Sequence, residues 1–220
     1  MSPKLADPAV RASLIETAAR IVATDGRAGL TLRGLAAEVG TSTMAVYTHF
    51  GSMDQLRREV RREGFARLRA RLAAVQESED PVADLTLLGA GYYLSATASP
   101  NLYRAMFLDG PVDEQDFETG LDTFTYLIRG LARCIESGRF PALGSSPDPE
   151  SLAFELWALT HGVVSLQLAQ LLTAQQALEY LQSGSRSLFV GWGDDPEMLK
   201  ASAARAERRL GELNPAMADA

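Results

Sequence analysis

Six residues on one short stretch, Thr43, Met44, Ala45, Tyr47, Thr48 and His49, carry hydroxyls, a phenol, an imidazole and small apolar groups around a central Val46. Such groups, if they face outward together, can reach the backbone and base edges of DNA. They are not the parts of a bond-breaking site. The chain holds two histidines, His49 and His161, and neither is accompanied by a nucleophile motif, a glycine phosphate loop or metal-ligand spacing. The sequence therefore predicts no enzyme, no metal and no cofactor.

Two helices must position these residues. Leu32, Leu35, Ala36 and Val39 recur at three- and four-residue spacing behind Thr31, a good N-cap, and predict a first helix that ends at Gly40. A second helix is predicted over about Ser42 to His49, with Ser42 as its N-cap. Gly40 supplies the left-handed backbone of a sharp turn, Ala36 lets the helices cross closely, and Val46 provides the apolar contact. This is the pattern of a helix-turn-helix. A plain helical hairpin has the same outline but does not require the small residue, the glycine and the valine at these offsets.

The net charge of −7 is unevenly placed. Residues 1–71 hold 12 Lys and Arg against 7 Asp and Glu, whereas residues 72–220 hold 9 against 21. A basic head on an acidic body suits phosphate binding by the head alone. The opening MSPKLADPAV has no apolar run of the kind a signal peptide needs, so a cytoplasmic protein is expected. Cys134 lies in an apolar helical pattern and reads as a small core residue.

The rest of the chain reads as helix throughout. Helix 1 starts near Pro8, places Val10, Leu14, Ala18, Ile21 and Val22 on one stripe, and closes at Gly26. Helix 4 runs from Ser52 to about Val75 on Leu56, Val60, Phe65, Leu68 and Leu72, with an arginine-rich outer face of which Arg57 and Arg58 are the best placed to approach phosphate. The polar break QESEDP, Gln76–Pro81, marks the boundary between a head domain of residues 1–75 and a second domain of residues 76–193. Leu85, Leu88, Tyr92 and Ala96 define helix 5. Ser99-Pro100 is expected to cap helix 6, NLYRAMF, and Phe117, Leu121, Phe124, Ile128, Leu131 and Ile135 define helix 7, stopped by Gly138. After the loop FPALGSSPDP, Asp148-Pro149 opens helix 8, and helix 9 covers about Thr173 to Val190. An extension over residues 194–220 holds one more amphipathic helix, to about Leu213, before a tail, PAMADA, expected to be disordered.

From Leu156 to Leu178 there is no charged residue. Thr160, His161, Ser165, Gln167 and Gln170 interrupt the stretch and it turns at Thr173, so it does not predict a membrane span. Helices this apolar must be buried on most faces. Helices 8 and 9 either pack against the same pair of a second copy, giving a two-fold four-helix bundle, or complete an intramolecular core.

The run from Thr31 through Leu56, with LAAEVGTSTMAVYTHFGSMDQL inside it, resembles the N-terminal domain of the tetracycline-repressor (TetR) family of transcriptional regulators. Trp157, His161 and Gly162, as Trp-x-x-x-His-Gly, and NLYRAMF resemble one branch of that family's C-terminal domains. The resemblance implies an all-α protein in two parts: a helix-turn-helix DNA-binding domain, joined by a long fourth helix to a helical ligand-binding and dimerisation domain. It implies a homodimer, paired through helices 8 and 9, that binds a palindromic double-stranded operator and leaves it when a small organic effector binds. By position, Thr43, Met44, Ala45 and Thr48 are implied to face bases, while Thr31, Arg33, Ser42, Tyr47 and His49 are implied to hold phosphates. Met53 stands where the family commonly has a lysine, which leaves a backbone amide at the start of helix 4 to make that phosphate contact.

Candidate effector-binding residues are Tyr92, Tyr93, Tyr103, Met106, Phe107, Phe124, Tyr126, Trp157, His161 and Gln167, because aromatic walls with a few polar tips suit an apolar organic molecule. Each also fits an ordinary helical core. Activation instead of repression, or a helical dimer acting in protein interaction without DNA, are the alternative functions.

Overall fold

The computed structural model describes residues 7–108, 114–144 and 147–218, with side chains for all of these but Ala23, Arg27, 114–119 and 212–218. The described residues form ten α-helices, one 3-10 turn at Pro141–Leu143 and no strand. The chain is all-helical, as its periodicity predicts. By backbone proximity it divides into two compact units, Met1–Arg67 with Ser99–Gly120, and Leu68–Ala98 with Leu121–Ala220.

The first unit contains α1 (Pro8–Gly29), α2 (Leu32–Val39), α3 (Thr43–Phe50), the larger part of α4 (Met53–Ala73) and α6 (Pro100–Phe107). Asp7 caps α1 by accepting from the Ala9 N–H, and Pro8 sits at the first turn, where its missing N–H costs nothing. Gly26 breaks the helix with φ +69°, as expected, but one more helical turn follows to Gly29. Leu14, Ile15, Ala18, Leu35, Ala36, Val46, Phe50, Leu56 and Val60 form one buried core, joined by Leu102 and Ala105 of α6. Thus α6, which the sequence pattern groups with the second domain, packs on α1. Ser99 precedes α6 at φ −134°, ψ 65°, outside the extended backbone of a capping residue, and its hydroxyl makes no cap bond; Pro100 alone marks the start.

The second unit contains the end of α4, α5 (Pro81–Ala98), α7 (Glu114–Glu136) from Leu121 onward, α8 (Pro149–Leu168), α9 (Ala174–Gly191) and α10 (Pro196–Ala218). Helix α5 is buried on almost every face, with Leu85, Leu87, Leu88, Tyr92, Tyr93 and Ala96 all inside. Asp148 caps α8, and Thr173 and Gln176 form a capping box at α9. The close crossing of α8 and α9 is set by Gly184, where a Cβ would lie 2.9 Å from the Leu159 methyls. Phe140, Phe189 and Trp192 close the far end, with ring centroids 5.3–5.7 Å apart.

Helix α10 continues to Ala218, past the Leu213 expected from sequence; the last two residues of PAMADA and the Phe117 side chain lie outside the described part. No helix among the described residues is long and apolar enough to cross a membrane.

Candidate functional site

Local chemistry fixes the geometry of the helix-turn-helix. The Thr31 hydroxyl accepts from the Gly34 N–H at 3.2 Å and starts α2. Gly40 ends it in the left-handed region, φ +73° and ψ 31°, and the Gly40 and Thr41 N–H groups return to the carbonyls of Ala37 and Ala36 at 3.2 and 2.8 Å. Ser42, in extended backbone, accepts from the Ala45 N–H at 3.1 Å and starts α3. Ala36 and Val46 are buried together in the core, so both helices are held where their side chains meet.

Six of the nine candidate DNA-binding residues are exposed. Met44 is 70% exposed and Tyr47 48%; Thr31, Arg33, Ser42 and Thr48 are exposed, and Thr43, Ala45 and His49 are half-buried. The Thr48 hydroxyl donates to the Met44 carbonyl at 2.8 Å, which leaves its oxygen lone pairs outward as an acceptor. Phe50 turns inward, 5% exposed, under the Arg11 guanidinium at 5.6 Å, and Arg11 is itself paired with Glu59. Met53 packs against the same core, so the residue standing in the lysine position serves as an apolar contact.

Part of the arginine-rich face of α4 is paired with acids. Arg57 pairs with Asp54 at 2.7 Å, Arg62 with Glu59 at 2.9 Å, and Arg67 with Glu63 and Glu16 at 2.8 and 3.2 Å. Apart from Arg67–Glu16 these are partly exposed pairs at helical spacing, and with seven arginines against three acids α4 keeps a net positive charge that can attract phosphate.

The candidate effector residues fall into two groups. In the second unit Tyr92 of α5, Phe124 of α7, and Trp157 and His161 of α8 come together, with Phe154 added. The Tyr92 hydroxyl lies 3.0 Å from His161 Nδ1, the Trp157 and His161 rings are 4.8 Å apart, and Phe124, Phe154 and Trp157 make edge-on contacts at 5.4–6.3 Å. Burial pushes the His161 pKa down, so this imidazole is neutral at neutral pH. Tyr93 is buried on α5, Tyr126 is half-buried on α7, and Gln167 presents a buried Oε1 with no hydrogen-bond partner among the described residues. Tyr103, Met106 and Phe107 lie on α6 in the first unit, where Phe107 meets Phe65 at 5.4 Å and Met106 lies against Gly64.

Sequence reasoning missed two features. Phe154 escaped because it is exposed, at 59%, and sits off the apolar stripe. The second is a cluster of charges around Asp80 and Asp84, at the end of the polar break; its signal was the four-residue spacing shared by the two aspartates and by Arg205 and Arg209.

Residues 14–60 match the family model described as bacterial regulatory proteins, tetR family, and residues 85–183 match the tetracyclin repressor-like C-terminal domain. An uncharacterized HTH-type transcriptional regulator of Mycobacterium tuberculosis is 29% identical over 162 residues, 72% of this chain and 70% of that protein. Among solved structures, a protein of unknown function from Rhodococcus sp. RHA1 superposes with a TM-score of 0.69 at 26% identity, over 87% of this chain and 98% of that one. AibR, in a complex with isovaleryl coenzyme A and operator DNA, superposes at 0.63 and 19% identity over 82% and 98%. The fold and the helix-turn-helix define a DNA-binding transcriptional regulator. The chain belongs to the TetR family.

Proposed function

We propose that this regulator is a homodimeric cytoplasmic repressor that reads a palindromic operator with α3 and releases it when a small organic effector enters the second unit beside Tyr92, Trp157 and His161. The observation that carries the reading is the outward face of α3, with exposed Met44, Tyr47 and Thr48 on a helix fixed by two caps and a buried Val46. Thr43, Met44, Ala45 and Thr48 face bases, and Thr31, Arg33, Ser42, Tyr47 and His49 hold phosphates.

Dimerisation through α8 and α9 is supported by the apolar side chains that these helices and the turn between them leave uncovered: Phe154, Leu166, Leu171, Leu178 and Tyr180 are each 44–71% exposed. Two α3 helices then enter successive major grooves about 34 Å apart. A charge at Leu166 should yield monomers by sedimentation, and a dimer that persists at low concentration would count against this pairing. The complex of AibR with both an acyl-CoA and DNA supports an organic effector and an operator sharing one chain of this fold.

Selection from a random duplex pool tests the function. An enriched palindrome is the expected result; no enrichment at low salt by folded protein overturns it and favours the interaction-protein reading.

A further inference from the structure

The C-terminal helix α10 is attached to the second unit by an unusual set of bonds. Asp80, at the N-cap of α5, accepts from the Ala83 N–H, from Ser202 at 2.9 Å and from Arg205, both on α10, and lies 3.4 Å from Arg139. Asp84, one turn on, pairs with Arg133 of α7 at 2.7 Å and with Arg209 of α10. Each aspartate is thus held between one arginine in or just after α7 and one from α10. The α10 partners are four residues apart, matching the spacing of the aspartates, and an apolar contact of Ala83 and Leu87 with Ala206 and Leu210 fills the gap between the rungs. Arg139 also grips Asp194, just before α10, through two bonds of 2.7 and 2.8 Å.

The same arginines hold the connection between α4 and α5. Arg209 donates to the Gln76 carbonyl at 2.5 Å and to the Ser78 hydroxyl at 3.1 Å, Arg133 donates to the Ser78 carbonyl, and the Ser78 N–H donates to Asp84 at 2.8 Å. Val75 packs on the apolar contact of α10. Helix α4 begins in the DNA-binding unit and ends, at Ala73, three residues before Gln76.

We propose that α10 is a clasp on the α4–α5 connection, and that Arg205 and Arg209 are positioning residues for operator binding although they belong to the other unit. The clasp ties down the segment into which α4 runs, and so holds the last turn of α4 within the second unit. The proposal rests on the DNA-binding reading, and its test separates the two.

The test uses full-length Arg205→Ala/Arg209→Ala protein, with Arg205→Ala alone as a milder variant because that side chain is 54% exposed. Hydrogen exchange at the Ser78 amide reads the clasp without DNA, and is expected to quicken by about tenfold, the size of losing hydrogen bonds to a charged group. Binding is then measured to the selected operator and to the same operator with one central base pair inserted. A loosened clasp lowers affinity for the first more than for the second, shrinking their ratio; a merely structural weakening lowers both alike.

Unchanged exchange in both variants overturns the clasp. Faster exchange with an unchanged ratio overturns the positioning role. Wild-type protein that selects no duplex overturns the DNA-binding reading and with it the operator half of the proposal, while Ser78 exchange still decides the clasp.

Discussion

The helix-turn-helix and the α5–α10 corner hold their shape by opposite means. In the first, the decisive bonds span three to five residues: Thr31 to Gly34, Thr41 to Ala36, Ser42 to Ala45, over a core of uncharged side chains. In the second they span well over a hundred, from Asp80 to Ser202 and Arg205 and from Asp84 to Arg209, and the groups are charged. The difference assigns stability differently. The head rests on apolar burial, which pH does not touch, whereas the corner depends on two carboxylates remaining ionised.

The largest effect separates them on the head side. Leu35 is fully buried, and Leu35→Ala should cost roughly 2–5 kcal/mol in urea unfolding, by the same amount at pH 7 and pH 4. A loss that varied strongly with pH would break the comparison.

Asp84→Asn should cost roughly 2–4 kcal/mol at pH 7, since it leaves Arg133 and Arg209, each about a quarter exposed, facing an uncharged amide. Burial pushes the Asp84 pKa up. The Ser78 N–H and the two guanidiniums outweigh that and hold it below its ordinary 3.8. A depressed folded pKa contributes stability that is complete above the unfolded value and lost as pH falls through the folded one. The gap between wild type and Asp84→Asn should therefore be full above the ordinary 3.8 and narrow as pH falls below it toward the depressed folded value, and a gap that stayed constant into acid would show that charge is not what Asp84 supplies.

Gly40→Ala sharpens the account of the turn. A Cβ there meets nothing within 4 Å, so the expected cost of about 1–2 kcal/mol comes from the left-handed backbone alone. Gly40→Asn should recover part of it, and thermal unfolding of both variants reads this directly.

Tyr47→Phe has the smallest effect on stability, because the side chain is half exposed. Binding should weaken similarly on every duplex if the phenol holds a phosphate; a change confined to one base position would move Tyr47 among the base-reading residues.

The head was legible because each of its signals is local. A hydroxyl before an apolar run, a glycine where the chain must turn and a valine at the crossing state their purpose in a window of twenty residues. Arg57 was legible only in part: the sequence placed it toward phosphate, and the structure adds a pairing with Asp54 one turn back. The polar break at Gln76–Pro81 was read only as a boundary, whereas the compact units part within α4, between Arg67 and Leu68. Asp80 in that break is 8% exposed, because polarity in a linker and polarity in a buried ion cluster look the same in one dimension. The aromatic candidates divided for a related reason. Helical spacing shows that Tyr103 and Tyr92 each have an inward face, but not that α6 packs on α1 while α5 packs on α8.

By itself, then, the sequence determined the helices of the described residues, the caps at Thr31, Ser42 and Asp148 and the exposed Met44, Tyr47 and Thr48 of α3, since these depend on backbone hydrogen bonds and periodicity within a few turns. Tertiary structure alone decided which helix shares a core with which, where His161 finds Tyr92, and that four arginines from α7, α10 and the segment between α7 and α8 converge on Asp80 and Asp84. Those contacts join residues far apart in the chain, and only the packed helices bring them within bonding distance.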